Sequence, residues 1–228
     1  MIAKKKEFYG GFGMLIGFFV ILVIVFSPVI KGHNVLEYLD SLYNSISKGS
    51  AYYIPKVKKE TDKFIGDSIS VTLNMKDEAQ AKQATSLFMK GGALVNASGA
   101  QLKASGDLGK ILENCLADAD YMYVNDGEKV KGKYGYDERQ VLYNWYTALK
   151  SMDKDLKAQK KFKEAKVVAL VIKKAVECSY NYYTIEPQKI SDRYGIVIFS
   201  LIFYVIYTLW YGFAIMFMFE GWGMQLGH

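Results

Sequence analysis

Two long stretches without a single charged side chain constrain this chain more than any other feature. The first, from Phe8 to Ile30, runs for about 23 residues, and at about 1.5 Å of rise per residue a helix of that length spans a hydrocarbon core of about 30 Å. The second, YGIVIFSLIFYVIYTLWYGFAIMFMF, extends over residues 194–219, with Tyr194, Tyr204, Trp210 and Trp222 placed as interfacial anchors. Lys4, Lys5 and Lys6 precede the first stretch as they would in a secretion signal. A signal, however, has an apolar region of only about 7 to 15 residues that ends in small residues. Here the run ends in Phe26, Ser27 and Pro28, so it is expected to be retained as a signal anchor.

The expected organisation is therefore a short tail (1–7), a transmembrane helix (8–30), one folded domain (31–193), a second transmembrane helix (194–219) and a short tail (220–228). Basic residues near the spans set orientation. Three lysines ahead of the first span and none after the second place both termini in the cytoplasm of a plasma (inner) membrane and the domain outside it. With Lys4, Lys5, Lys6, Glu7 and Glu220 set aside, most of the formal +6 charge stays with that domain. A mildly basic, extracytoplasmic surface reads as an ordinary solvated one, with lipid headgroups or an acidic partner as the alternatives, and no nucleic-acid module is present.

Hydrophobic spacing divides the domain into elements. In HNVLEYLDSLYNSISKG, Asn34 and Glu37 stand at capping-box positions and Gly49 closes a helix. Pro55 suits a first helical turn ahead of Val57, Thr61 and Phe64. The period then drops to two in SISVTLN, where Ile69, Val71 and Leu73 alternate with polar residues. A helix over about 76–90 follows, then ALVNASGAQLKASG as a hairpin, then a helix capped by Asp107 with Leu108, Ile111, Leu112, Cys115, Ala119 and Met122 on one face. Strand, helix, strand, strand, helix implies a small antiparallel sheet covered by helices, an α+β core in a mainly α membrane protein. After the turn at Asn125, Asp126 and Gly127 comes a Gly-spaced basic loop.

From Tyr136 to Glu186 there is neither Gly nor Pro, which predicts one long helix over about 137–185 capped by Asp137. Lys160 and Lys163 interrupt its apolar stripe, so a bend or a hairpin near 157–161 is the alternative. Val167, Val168, Leu170, Val171 and Ile172 belong to VVALVI, apolar all around a helix. Such a segment must be enclosed, by the domain core or by another chain as an oligomer contact, and its four β-branched residues also allow a strand.

Groups that carry chemistry are sparse. His33 and His228 fall on opposite sides of the expected membrane, and no zinc, c-type haem, P-loop or serine-hydrolase motif occurs, so no cofactor is expected. Asp118, Asp120, Asp126 and Glu128 gather around Tyr121 and Tyr123 as a candidate cation or ligand site, but their spacing fits no EF-hand, so a polar helix end and turn is the better reading. Cys115 and Cys178 could form a disulfide in an oxidising compartment, worth on the order of 4 kcal/mol by loop entropy, or remain small hydrophobes. Lys150, Lys154, Lys157 and Lys161 make one stripe that reads as a solvated face.

Gly13 and Gly17 form a GxxxG pattern for helix packing, with Gly195, Ser200 and Gly212 as small positions on the second span. Neither span holds an ionisable side chain, which argues against an ion pathway or proton relay. The layout resembles that of bacterial sensor receptors, yet the nine residues EGWGMQLGH leave no cytoplasmic output module. The expectation is a non-enzymatic two-pass membrane subunit, whose outer domain scaffolds other membrane subunits or copies of itself. A ligand-binding sensory module, its small-molecule ligand unassigned, and an accessory subunit of an electron-transfer complex are the alternatives.

Overall fold

A computed structural model describes residues 2–224; His228 and the rest of 225–228 lie outside the described residues. The chain is mostly helical and divides into two compact units, residues 1–49 with 187–228, and residues 50–186.

In the first unit, α1 (Lys5–Phe26) and α10 (Tyr194–Gly221) are both long and apolar enough to cross a membrane. They run antiparallel, so the amides of Ala3 and Lys4 both donate to the carbonyl of Gly221 at 2.9 Å. Side-chain donors bridge to main-chain acceptors of the opposite helix: Tyr207 Oη to the Phe18 carbonyl and Trp210 Nε1 to that of Met14, each at 3.0 Å. These bonds tie the two apolar helices together in register. Phe18 also stacks on Tyr207 with ring centroids 4.2 Å apart.

Of the two glycines expected at the contact, Gly17 meets α10 and Gly13 does not. A Cβ on Gly13 would meet nothing, and the same holds for Gly10, Gly195 and Gly212. Gly17 faces the Trp210 ring at 3.1 Å, and Ser200 accepts or donates a 2.6 Å bond with Tyr43 Oη. The closest approach is made by Gly11, where a Cβ would lie 2.6 Å from the Ala214 carbonyl, and by Gly221 against Phe8. GxxxG selects positions four apart, whereas the seam here follows 11, 14, 17 and 18. The capping box of α2 (Val35–Ser50) is formed reciprocally, with Asn34 Oδ1 accepting from the Glu37 amide at 2.8 Å and Glu37 Oε2 accepting from the Asn34 amide at 3.2 Å.

The second unit carries the sheet. After α3 (Ile54–Thr61) and a 3₁₀ turn (Asp62–Phe64) come β1 (Ser68–Asn74), α4 (Glu78–Lys90), β2 (Leu94–Ser98), β3 (Gln101–Asp107) and α5 (Leu108–Tyr123). The strand order is β1-β3-β2, with β3 antiparallel to both neighbours. Val71, Ala104 and Val95 lie in register on the core face, while Thr72, Lys103 and Asn96 lie on the opposite, polar face. The outer edge of β1 is covered by polar side chains of α7 (Glu138–Ala158) and its C-cap. Asp155 accepts from the Thr72 amide, Ser151 accepts from the Asn74 amide, and Gln159 donates to the Ser70 carbonyl. These contacts satisfy an edge that would otherwise template pairing with another chain.

Two expectations fail in the second half of the domain. The Gly-spaced basic loop is a helix, α6 (Gly127–Tyr134), ended by Gly135 in the left-handed region. The single helix over 137–185 is broken into α7, α8 (Phe162–Val171), a π-helical segment (Ile172–Val176) and α9 (Glu177–Tyr182), and α8 folds back on α7. Lys160 sits at φ 61°, its amide bonds to the Lys157 carbonyl, and the Lys161 amide bonds to that of Leu156. This is the Schellman termination, with lysine in the place glycine usually takes. The hairpin alternative describes the structure.

Candidate functional site

The acidic cluster comes apart into separate centres. Asp118 is fully buried on α5, where Lys133 Nζ donates to Oδ1 at 2.6 Å, and Tyr134 Oη and Trp145 Nε1 donate to Oδ2 at 2.6 and 2.8 Å. Burial and the Asp118 charge push the Tyr134 phenol far above its ordinary range. Asp120 accepts from Tyr52 Oη at 2.6 Å, and that bond pushes the Tyr52 pKa up to about 12. Asp126 pairs with Lys129 at 2.6 Å and Glu128 with Lys131 at 3.8 Å, both on exposed helix surface. Tyr121 lies under the Lys129 ammonium, and burial raises the Tyr123 phenol to about 12. Four carboxylates close in sequence thus serve four separate sets of donors, because α5 and α6 turn them to different sides. Among the described residues no group of three or more His, Cys, Asp or Glu could hold a metal ion.

Sequence reasoning missed a second buried polar centre. Asn144 on α7 has both amide functions saturated: Oδ1 accepts from Gln80 and Gln140, and Nδ2 donates to Gln83 and Tyr136. Its position within the Leu142 to Leu149 stripe was the available signal, since a polar residue on an apolar face needs partners.

The other candidate residues also take structural roles. Both thiols are free, so the disulfide is replaced by two separate cysteines. Cys115 is enclosed in the core, where burial raises its pKa well above normal; Cys178 donates to the Lys173 carbonyl at 3.4 Å, within its own helical stretch. Val167, Val168, Val171 and Ile172 are buried in the domain's own core, while Leu170 is only partly covered. His33, in the first unit, is exposed and pairs with Glu37 at 3.3 Å. It borders a basin of about 740 Å³ that also carries Lys31, Ser41 and Arg193. In the lysine stripe, Lys157 pairs with Asp153 and Lys150 with Tyr146 Oη, and all four lysines stay away from the core.

One concave surface in the second unit remains unexplained by internal structure. A groove of about 540 Å³ runs between the end of α3 with its 3₁₀ turn and α8 with the π segment. Its floor is Phe64, Val167, Ala169 and Leu170, and its rim holds Lys63, Lys163, Lys166, Lys173 and Lys174 with Glu60 as the lone acid. Lys63 pairs with Glu60 at 2.6 Å, and Lys174 lies 4.2 Å from the centre of the Tyr53 ring. Lys163, Lys166 and Lys173 are exposed and have no acidic partner among the described residues.

The spacing of the α8 residues explains how the groove is built. Positions 163, 166, 167, 170, 173 and 174 share one helical face, so apolar side chains form its centre and ammonium groups its margins. Two of those lysines lie in the π segment, where the Glu177 amide reaches the Ile172 carbonyl. Wide turns of this kind are rare and concentrate at functional sites. The arrangement offers apolar contact and positive charge, and it brings together no nucleophile, general base or metal ligand set. No family model matches the chain, and neither curated proteins nor solved structures yield a match.

Proposed function

We propose that this chain is a non-catalytic, two-pass membrane protein whose folded domain, residues 50–186, docks other proteins at the membrane surface. The observation that carries this reading is the lysine-rimmed apolar groove on a domain whose two buried polar centres, around Asp118 and Asn144, are bonded internally. Exposed apolar surface ringed by polar groups marks interaction sites, and depletion of acids there biases the choice of partner. Two apolar helices hold the domain at one bilayer surface. The lysines at 4, 5 and 6 favour cytoplasmic termini and a domain on the outer side of an inner membrane.

Native mass measurement of the full chain, released from membranes in mild detergent, tests the reading. A discrete assembly containing a second polypeptide or further copies is expected. A lone monomer under conditions that preserve other complexes of the same membrane would overturn it.

A further inference from the structure

The groove's charge distribution narrows what it can hold. Lys163 and Lys166 stand at one end and Lys173 and Lys174 at the other, with Lys63 on the facing wall. Eleven helical residues separate the outermost pair, about 16 Å at about 1.5 Å per residue, or three turns. An acyl lipid has one charged head and would leave the lysines at the far end facing its tail. A ligand that suits this rim carries several acidic groups along its length and an apolar stripe between them.

We propose that the groove binds an acidic amphipathic helix of a partner protein. Three turns of such a helix would lay Leu- or Phe-type side chains at i, i+3 or i+4, and i+7 onto Phe64, Val167 and Leu170. Its Asp and Glu residues would flank that stripe and meet Lys166 and Lys173. The rim charges steer the encounter and select against basic helices, while the floor supplies the contact area. This inference rests on the docking reading above and adds the chemistry of the partner to it.

The test uses the full chain in detergent and a fluorescent synthetic peptide of four helical turns, with leucines on one face flanked by glutamates. A second peptide has the same composition in scrambled order. The patterned peptide is expected to bind at micromolar concentration, at least tenfold tighter than the scrambled one. Lys166→Glu with Lys173→Glu, and separately Leu170→Asp, should each weaken it at least tenfold. Both variants change side chains that are not fully buried, and circular dichroism checks that they fold. Equal affinity for the scrambled peptide would reduce the groove to a non-specific cationic patch and overturn the proposal. So would binding that survives all three substitutions. Loss of peptide binding in nanodiscs containing phosphatidylglycerol, with binding intact in phosphatidylcholine, would reassign the groove to anionic lipid. An assembly that persists by native mass measurement in a variant that no longer binds peptide would leave the docking function standing while removing the groove from it.

Discussion

Asp118→Ala is the substitution whose cost the structure specifies best. The carboxylate is fully buried and accepts three bonds, from Lys133, Tyr134 and Trp145. Truncation leaves the Trp145 indole N–H unpaired in the core, since Trp145 has no exposed surface. An orphaned buried donor costs about 1–3 kcal/mol. Removing one partner of a buried ion pair costs about 3–5 kcal/mol, but the Lys133 side chain keeps 27% exposure and a 2.6 Å bond to Asn114 Oδ1, which lowers that part. The expected loss is about 4 kcal/mol, or about 8–16 °C in the thermal midpoint of a chain this size. Lys133→Ala should cost a similar amount, about 3–5 kcal/mol, because it leaves the fully buried Asp118 carboxylate without its counter-charge, with only the tyrosine and indole donors remaining. The double substitution Asp118→Leu with Lys133→Met should return the ion-pair part of the loss but not the part due to the Trp145 indole N–H, which stays buried without its acceptor. Urea unfolding followed by Trp145 emission, with Trp210 and Trp222 changed to Phe, measures all three. A loss under about 1 kcal/mol for either single substitution would refute the three-donor account.

Lys160→Gly should stabilise the domain by about 0.5–1 kcal/mol in thermal unfolding, because the left-handed strain of about 1–2 kcal/mol is relieved against a smaller gain in unfolded-state freedom. Ser179→Ala should be neutral or stabilising by about 1 kcal/mol, since the buried Ser179 hydroxyl lacks a partner among the described residues. Tyr52, Tyr123 and Tyr183 are held at about 12 against an ordinary 10.0, so the folded state retains protons that the unfolded state releases. That stabilisation is complete below pH 10 and is lost as pH rises from 10 through 12; tyrosinate absorbance should lag in the folded protein and stability should fall across that window. Gly11→Val should separate α1 from α10 while Gly13→Val should not, read by oxidative cross-linking of cysteines placed at Phe18 and Tyr207.

The elements that proved legible in the sequence are those where periodicity and end signals agree. Ser68–Asn74 is a strand with the expected bounds, and Val95, Ala97, Leu102 and Ala104 occupy paired positions in the hairpin. Asp107 and Asp137 cap their helices through the amides of Lys110 and Gln140. The break at Lys160 was legible only as the alternative, from the lysines that interrupt the apolar stripe, because the usual glycine was absent. Schellman ends at Gly92, Asn125 and Gly223 place glycine or asparagine in the left-handed position, whereas the same termination at Lys160 uses lysine. Helix α6 was hidden by the glycines at 127, 132 and 135, which read as a loop although its own Val130 is fully buried. The acidic cluster misled for a different reason. Proximity in sequence says nothing of direction, and the roughly 200° of helical rotation between Asp118 and Asp120 sends one inward to Trp145 and the other outward to Tyr52.

Lys160 and Lys163 posed a conflict for a continuous helix, since both fall on the extension of the α7 apolar stripe. The chain resolves it by stopping α7 ahead of Lys160 and restarting as α8, so that the buried positions become Ala165, Val168 and Val171. Lys163 then stands at the margin of the groove instead of beneath α7. The π segment continues the same face, burying Ile172, Ala175 and Val176 while Lys173 and Lys174 stay outside. The break that spoils the sequence pattern is therefore what creates the lysine rim. A lysine in the left-handed position costs the domain stability relative to glycine, although glycine there would close the same turn.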